Sequence, residues 1–441
     1  MGVLQASSLL DEVNSVRQAA RKNNEWFAES LPMIASENVL SPRALEMLVT
    51  DFHGRYAEGL PGRRYYQGCK YFDEVEAKAI DLARRLFRCR WANVQSTSGT
   101  VSNMAALKAI AQPGDTITAV STADGGHISH AKMGAVGLRG LKVVEYPWDP
   151  EKMTVDPDAA AKVIRQEKPR VALFGQSVFL FPTPLKELAP VAREVGARVF
   201  YDGAHVLGLI AGGQFQDPLR EGADILTGST HKTLPGPQGG VNLSDHGGET
   251  EEDKKFLRAL ETGVFPGVVS SYHLHHVAAK AIAFAEHLQF GKEYASQIVK
   301  NARAFAEALN ERGFRVLGEA LGFTRSHQCL VQVGEIGEGK GKWAAERLEE
   351  ANIITNMNMI PGDTKPMSPS GLRLGVQELT RVGMKEPQMR EVADLYGKLL
   401  LDGADPARIK DDVRRLRSEF KVLQFCFNEH QRSGYEFREI Y

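Results

Sequence analysis

The sequence predicts an α/β protein in which a mainly parallel sheet carries helices on both faces and a smaller α+β unit follows it. Between residues 93 and 243, short apolar runs recur between helix-like segments, as they do in successive βαβ units. Hydrophobic residues make up 43% and charged residues 25% of the 441 residues, which is typical of a globular protein with a large core.

The first part of the chain is predicted to be an arm, residues 1–40, because its helical pattern from Leu9 to Glu29 breaks at Leu31-Pro32. A second helical pattern begins at Ser41, at the start of the predicted large domain, residues 41–295. Five apolar runs in this domain have the length of buried strands. These runs are Ile117 to Val120, Val143 to Tyr146, Val171 to Phe174, Arg198 to Tyr201 and Ile225 to Thr227.

A long helical run from His273 to about Leu317 is predicted to connect the large domain to a small α+β domain, residues 296–441. The tail after Asp405 is expected to be a helix with one apolar stripe. The strands predicted in the small domain are Cys329 to Val333 and Gly371 to Gly375, the helices are Trp343 to Ala351 and Glu386 to Leu400, and the stripe is Ile409, Val413, Leu416 and Phe420.

The charge balance argues against nucleic acid or a membrane surface as a partner. Lysine and arginine number 54 against 55 aspartates and glutamates, so the basic excess that such partners require is missing. No apolar stretch approaches the roughly 18 residues that span a bilayer. The four cysteines are scattered without C-x-x-C spacing, so we expect reduced thiols in the cytoplasm. They are Cys69, Cys89, Cys329 and Cys426.

The clearest candidate for chemistry is Lys232, within the segment Ser229 to Gly240 that follows a predicted strand. Two hydroxyl residues and His231 precede the lysine, and a loop rich in glycine and proline follows it. A partly desolvated amine in a tight turn is what a Schiff-base lysine requires. A solvated lysine on a surface turn explains the segment equally well when it is taken alone.

Asp202 is the second candidate, because it directly follows the predicted strand Arg198 to Tyr201. Ligands of open α/β sheets bind at the carboxyl ends of the strands. If the chain were a pyridoxal-phosphate enzyme, an aspartate there would pair with the ring nitrogen of the cofactor and keep it protonated. Without Lys232, a helix N-cap would be the preferred interpretation of Asp202.

Ser98, Gly99 and Thr100 precede a helical run and so predict a phosphate site at a helix N-terminus. A simple Ser or Thr cap explains them about as well. His127, after two glycines, is a candidate to stack on a flat cofactor ring, although many single histidines are packed in cores.

Together these ordered motifs resemble those of serine hydroxymethyltransferase, a pyridoxal-phosphate family of fold type I, in its archaeal-type branch. The resemblance covers nearly the whole chain, and it implies a seven-stranded, aspartate aminotransferase-like large domain and a homodimer or dimer of dimers. The matching segments are Ile34 to Asn38, Tyr56 to Gly59, Pro61 to Tyr66, Gln95 to Thr100, Gly125 to His127, Asp202 to His205, Thr230 to Thr233, Phe265 to Gly267 and Ser370 to Gly375.

The resemblance implies a role for each matching residue. Lys232 would bind the cofactor aldehyde, Asp202 would pair with the pyridine nitrogen and His127 would stack on the ring. Arg373 would bind the amino acid carboxylate as a bidentate pair, assisted by Ser36. The phosphate would be held by Ser98, Gly99 and Thr100, and further cofactor contacts would come from Ser177, His205, His231 and Tyr56.

The family chemistry moves the hydroxymethyl carbon of serine to a reduced pterin and leaves glycine. Glu58 would be the acid/base residue at the serine hydroxyl, with Tyr56 and Tyr66 reaching in from the partner subunit. The pterin, tetrahydrofolate or tetrahydromethanopterin, would contact Tyr65, Gly126 and Asn358.

Three departures from the family pattern concern the carbon acceptor more than the cofactor. Gln238 stands where an arginine is usual, and Val268 to Tyr272 replaces a glycine-containing region that helps bind phosphate across the dimer. Met357 lies between Asn356 and Asn358 where a lysine is common, which weakens the case for a polyglutamylated folate. The same departures leave open a related pyridoxal-phosphate L-threonine aldolase or transaldolase that acts without pterin.

Two further classes are weaker alternatives. The segment Gly334 to Gly341 nearly matches a nucleoside-triphosphate loop, but Gly341 stands where a magnesium-binding hydroxyl is required. His127 with His130, or the histidines between 273 and 276, offer no evident third ligand for zinc. We therefore expect a flexible turn in the first case and no metal site in the second.

Overall fold

The computed structural model describes residues 2–439, with side chains from residue 9 onward. Met1, Ile440 and Tyr441, at the ends of the predicted arm and small domain, lie outside this range. The helices are α1 (Gly2–Ala28), α2 (Pro42–Leu48), α3 (Lys70–Phe87), α4 (Gly99–Ile110), α5 (Ala135–Leu138), α6 (Pro157–Glu167), α7 (Leu185–Glu194), α8 (Leu207–Ala211), α9 (Glu251–Val264), α10 (Leu274–Glu311), α11 (Lys340–Glu350), α12 (Gln377–Arg381), α13 (Glu386–Leu400) and α14 (Pro406–Glu419).

The strands are β1 (Leu31–Pro32), β2 (Gly59–Leu60), β3 (Arg63–Arg64), β4 (Trp91–Asn93), β5 (Thr116–Ala119), β6 (Lys142–Glu145), β7 (Trp148–Asp149), β8 (Thr154–Val155), β9 (Val171–Phe174), β10 (Arg198–Asp202), β11 (Ile225–Ser229), β12 (Gly240–Ser244), β13 (Arg315–Val316), β14 (Gln328–Gln332), β15 (Ile353–Ile354), β16 (Asn356–Asn358) and β17 (Gly371–Gly375). All seven strands predicted from the sequence are present, with bounds that differ by at most two residues.

The large sheet has seven strands within the described residues, in the order β4-β12-β11-β10-β9-β5-β6. The pairs from β11 to β6 are parallel, whereas β12 runs antiparallel to both β11 and β4. Every residue of β9 and β11 is buried, as expected for parallel strands covered on both faces. The mainly parallel sheet expected from the sequence is confirmed.

Helix α10 joins the large sheet to the second layer of structure. It packs against α2, α3 and α8 and also against α13. The domain boundary predicted at residue 295 falls inside this helix, which begins at Leu274 and ends at Glu311. The division into domains stays a prediction.

The small sheet is antiparallel, in the order β13-β14-β17-β16, and it places Arg373 opposite Leu330 and Asn356. The arm is tied to this unit because β1 pairs with β15. Helix α14 buries Ile409 and Val413, as the predicted stripe requires. A helix with the length and hydropathy of a membrane span does not occur in residues 2–439.

Candidate active site

The candidate site lies where the carboxyl ends of β10 and β11 meet the N-terminus of α4, the edge at which α/β sheets bind ligands. Strand β10 ends at Asp202, and β11 ends at Ser229, just before Lys232. Gly99, the first residue of α4, lies so close to β11 that an added Cβ would stand 2.3 Å from Ser229 Oγ. These contacts bring the candidates Asp202, Lys232 and Gly99 to one edge of the sheet.

Asp202 is a buried carboxylate held by three donors. Its Oδ2 accepts hydrogen bonds from Asn103 Nδ2 at 2.7 Å and His130 Nε2 at 2.9 Å, and its Oδ1 accepts from the Ala204 amide at 2.9 Å. Burial alone would raise the pKa of Asp202, but the bonds from His130 and Asn103 hold it below the usual range. Asp202 is therefore a carboxylate at neutral pH. It does not cap α8, which begins at Leu207.

Lys232 is 7% exposed, and its backbone carbonyl accepts a hydrogen bond from Asn38 Nδ2 at 2.6 Å. Burial lowers the pKa of its amine to about 8, with Asp202 opposing the shift and Arg373 adding to it. An appreciable fraction of the amine is neutral near physiological pH, as nucleophilic attack on an aldehyde requires. The alternative of a solvated surface lysine is wrong.

The N-terminus of α4 is the candidate phosphate site. Ser98 is the N-cap, and its Oγ accepts a hydrogen bond from the Val101 amide at 3.1 Å. Behind this turn, the buried Lys280 Nζ donates to the carbonyls of Val94, Ser96 and Gly240 at 2.7, 2.9 and 3.1 Å. Lys280 thereby links the segment that precedes Ser98 to the segment that follows Lys232.

His127 is half-buried, and its Nδ1 lies 2.7 Å from Ser129 Oγ. Burial lowers the pKa of His127 to about 4, so its imidazole is neutral and suited to stack on a cationic ring. A ligand atom from each of His127, His130 and Asp202 lies within 4.8 Å of the others. The sequence argument found no third ligand near these histidines, and the fold supplies one. His130 is already hydrogen-bonded to Asp202. The contribution of this cluster to the site is therefore the hydrogen bond that holds the Asp202 carboxylate.

Arg373 is the least compensated charge in the site. It is 8% exposed, its Nη1 donates to Ser177 Oγ at 2.6 Å, and its Nε has no partner among the described residues. Burial lowers the pKa of the guanidinium to about 10. A buried cation whose neighbours are hydroxyl and carbonyl groups requires an anionic ligand. A carboxylate matches its planar fork.

His205 and Ser177 border the same site. Gln328 links them, because its Nε2 lies 3.0 Å from His205 Nδ1 and donates to the Ser177 carbonyl at 3.0 Å. His205 also stacks on His327, with ring centroids 5.8 Å apart. Burial lowers the pKa of His205 well below its usual value. His231 is half-buried, and its Nδ1 has no partner among the described residues. Burial lowers the pKa of His231 to about 4.

The predicted residues Glu58, Tyr56 and Tyr66 form a second, more exposed group. Tyr56 and Tyr66 are 55% and 44% exposed, with ring centroids 5.3 Å apart. In residues 2–439, the Glu58 side chain bonds to Ser270 rather than to Lys232. This exposed group and the buried group around Asp202 are two parts of the predicted site.

Two of the three predicted pterin residues, Tyr65 and Asn358, are more exposed than the group around Asp202. Tyr65 is 75% exposed, and Asn358 is half-buried with its Nδ2 donating to the Met359 carbonyl at 2.6 Å. Gly126 is packed so closely that an added Cβ would stand 2.2 Å from the Val120 carbonyl oxygen. Ser36 and Gln238, in contrast, both line one cavity of about 660 Å³ that also contains His231.

The loop Gly334 to Gly341, which resembles a nucleotide-binding motif, contains an ion pair and a hydrogen bond to Ser370. Lys340 Nζ lies 3.0 Å from Glu338 in an exposed ion pair, and the Gly337 amide donates to Ser370 Oγ at 2.9 Å. The loop is thus fastened to the residues just before β17.

Residues 9–396 match the model of the serine hydroxymethyltransferase family. The chain belongs to the serine hydroxymethyltransferase family. The serine hydroxymethyltransferase of Thermococcus kodakarensis is 52% identical over 408 residues, which cover 92% of this chain and 94% of the relative. That of Methanocella arvoryzae is 50% identical over 428 residues, covering 97% and 98% of the two chains.

A solved structure with the same fold is the L-threonine transaldolase of Pseudomonas fluorescens in its internal aldimine state. It is 27% identical and has a TM-score of 0.86, covering 98% of this chain and 97% of the other. The relatives at about 50% identity are serine hydroxymethyltransferases, largely archaeal. These comparisons confirm the predicted family and fold type I. They also confirm the prediction that the chain is a pyridoxal-phosphate-dependent hydroxymethyltransferase.

The described residues fit pyridoxal phosphate. Asp202 offers a buried carboxylate to the ring nitrogen, Lys232 an amine with lowered pKa to the aldehyde, and α4 its first amides to the phosphate. The buried Arg373 guanidinium is not used by these cofactor groups and is suited to an anion. Sequence reasoning missed Asn103 and Gln328 and considered His130 only as a metal ligand. Asn103 and His130 hold Asp202, and Gln328 links His205 to Ser177, contacts that only the fold creates.

Proposed function

We propose that this chain transfers the hydroxymethyl carbon of serine reversibly to a reduced pterin, tetrahydrofolate or tetrahydromethanopterin, leaving glycine. One observation carries the proposal. The buried guanidinium of Arg373, which no carboxylate of residues 2–439 compensates, shares a site with the Lys232 amine and the Asp202 carboxylate. The site is thus suited to an α-amino acid held by its carboxylate beside an aldehyde cofactor.

When bound, pyridoxal phosphate supplies an aldehyde for the substrate amine and a protonated ring that withdraws electrons from the bonds at Cα. Asp202 holds the proton on the ring nitrogen, because its own pKa lies below the usual range. Neutral His127 would pack on the ring, and Ser98, Gly99 and Thr100 would hold the phosphate. Ser177, His205, His231 and Tyr56 complete the cofactor contacts.

Arg373 and Ser36 orient the substrate by its carboxylate, so that the bond from Cα to the hydroxymethyl carbon faces the pterin. Glu58 moves the proton of the serine hydroxyl as this bond breaks, with Tyr66 beside it. Lys232 would hold the cofactor aldehyde through its amine before the substrate binds, and the same amine would take the cofactor back when glycine leaves. Tyr65, Gly126 and Asn358 bind the pterin that captures the carbon.

The uptake of pyridoxal phosphate by the apoenzyme is expected to accelerate as pH rises through about 8 and then to level off. The neutral amine is the nucleophile, and burial lowers the pKa of Lys232 to about 8. Stopped-flow absorbance at a series of pH values measures this rate. Asp202→Asn should shift the midpoint to lower pH, since a negative charge that favours the ammonium is lost. A rate still rising toward pH 10.5, the pKa of an ordinary lysine, contradicts the account.

We also infer a homodimer, or a dimer of dimers, in which Glu58, Tyr56 and Tyr66 enter the partner's site. Their exposure, and the bonding of Glu58 to Ser270 instead of Lys232, support this arrangement. Light scattering should give at least twice the 48.5 kDa of one chain.

Mixed dimers test the exchange of Glu58 between subunits. Lys232→Ala and Glu58→Gln are each expected to be nearly inactive alone, whereas subunits mixed in equal amounts and allowed to exchange should recover about a quarter of wild-type activity. A heterodimer then contains one intact site, made by Lys232 of one chain and Glu58 of the other. Absence of recovery after verified exchange would place Glu58 in its own subunit's site.

The assay that tests the function compares serine and threonine cleavage with and without each pterin. We expect glycine from serine to require a pterin. Pterin-independent transfer from threonine to an aldehyde acceptor would instead indicate the transaldolase activity of the structural relative. The four cysteines are free thiols, three of them buried, which supports a reducing compartment and so the cytoplasm.

A further inference from the structure

The segment Val268 to Tyr272, which departs from the family pattern, lies against Glu58. Ser270 Oγ donates a hydrogen bond to Glu58 Oε1. Ser270 is exposed and Glu58 half-buried, so the bond lies at the surface that faces a second subunit in the proposed dimer. Ser270 thus contacts the proposed acid/base group.

Ser270 is fixed in place from both sides. Val269 is 8% exposed and packs with Ala105 and Val264. Tyr272 is 4% exposed, and its hydroxyl donates to Glu76 Oε2. Between two buried anchors, the backbone at residue 270 has little freedom to move away from Glu58.

Glu58 is fixed by a different set of contacts. Arg64 Nη1 donates to the carbonyls of the two residues that flank Glu58, namely Ala57 at 2.9 Å and Gly59 at 2.6 Å. The same atom donates to Tyr272 at 2.9 Å. The buried Arg64 guanidinium therefore contacts both the backbone around Glu58 and the hydroxyl of Tyr272. These contacts fix the position of the Ser270 segment relative to the Glu58 backbone.

The Glu58 side chain itself depends on Ser270. Arg64 fixes only the backbone around Glu58, and a glutamate side chain that lacks a partner occupies several rotamers. The Ser270 bond engages Oε1 and leaves Oε2 able to approach a ligand. Proton transfer requires the reacting oxygens within hydrogen-bond reach, so a single rotamer matters for the rate.

We propose that Ser270 is a positioning residue that holds the Glu58 carboxylate, through Oε1, for proton exchange at the serine hydroxyl. The inference rests on the role proposed above for Glu58. It assigns a function to the segment that replaces the glycine-containing region of the family. Ser270 touches neither substrate nor cofactor in this role and acts through Glu58 alone.

The test compares Ser270→Ala, Ser270→Thr and Glu58→Gln in the full-length, cofactor-loaded enzyme. Ser270→Ala is expected to lower kcat for serine cleavage about 10-fold, because one hydrogen bond to a charged group is lost. The KM for serine should stay the same, since Arg373 binds the carboxylate. Ser270→Thr keeps the hydroxyl at an exposed position and should restore kcat.

Glycine provides the internal control, because it has no hydroxyl proton for Glu58 to move. Exchange of the glycine α-proton should proceed at the wild-type rate in Ser270→Ala, with an unchanged thermal midpoint. Thr262→Ala removes an exposed hydroxyl that, within the described residues, bonds only the α9 carbonyls of Arg258 and Ala259, and it should match the wild type throughout. The double variant of Ser270→Ala and Glu58→Gln should be no slower than Glu58→Gln.

The outcomes separate this inference from the proposed function. If Glu58→Gln is slow while Ser270→Ala cleaves serine at the wild-type rate, the role of Ser270 is overturned. The same holds if glycine exchange falls as much as serine cleavage, or if Ser270→Thr fails to restore kcat. If Glu58→Gln itself has the wild-type rate, the proposed role of Glu58 fails first.

Discussion

Replacement of Lys232 by alanine is expected to lower kcat for serine cleavage about 10³-fold. The variant loses the nucleophile for the cofactor aldehyde and the amine that displaces the product. The role proposed for Lys232 follows from its burial, which lowers its pKa to about 8, so that a neutral amine is present at working pH. Steady-state assays with saturating serine and pterin measure the effect.

Two controls distinguish this loss from a disrupted fold. Lys292 is exposed on α10, and Lys292→Ala should have wild-type kcat and stability. Lys232→Ala should still bind pyridoxal phosphate, because Asp202 and the N-terminus of α4 remain. Retention of more than about one tenth of wild-type kcat would contradict the role given to Lys232.

Replacement of Arg373 by methionine is expected to lower kcat/KM for serine by about 10²- to 10⁴-fold. Two charge-assisted hydrogen bonds to the carboxylate are lost, each contributing about 1.5–3 kcal/mol. Arg373→Lys keeps the charge but not the planar fork, so it should recover only part of the loss. The loss should appear mainly in KM if the contact is equal in ground and transition states.

The stability of the Arg373→Met apoenzyme separates this explanation from general damage. The wild-type guanidinium is buried, and burial lowers its pKa to about 10. An apolar side chain of similar length removes that desolvation penalty, so the thermal midpoint of the apoenzyme should rise while activity falls. Unchanged kcat/KM for serine, or an equal loss for an amine substrate without a carboxylate, would contradict the carboxylate role.

Local sequence patterns were sufficient to predict five of the seven strands of the large sheet and the residues at their ends, whereas β4 and β12 were not predicted. Parallel strands buried on both faces appear as short apolar runs, and the chemistry follows directly at Asp202 and shortly after β11 at Lys232. Helix ends were less certain. The helix predicted from Trp343 begins at Lys340, because the glycine-rich turn before it ends in a left-handed Gly339 that permits an earlier start.

The residues that orient the site are distant in sequence and have no motif of their own. Asn103 and His130 reach Asp202 from 99 and 72 residues away, and Gln328 reaches His205 from 123 residues away. Each is a buried polar side chain, which is a weak signal for a site, because most buried polar groups are hydrogen-bonded wherever they occur in a protein. Ser270 was visible as a departure from the family, but its contact with Glu58 required the fold.

The most direct test of the central claim is the formation of glycine from serine by the purified, cofactor-loaded protein, with tetrahydrofolate, with tetrahydromethanopterin and with no pterin. The account predicts glycine formation with at least one of the two pterins and little without either. Glycine formation at the same rate in all three reactions, or turnover of threonine alone, would contradict it.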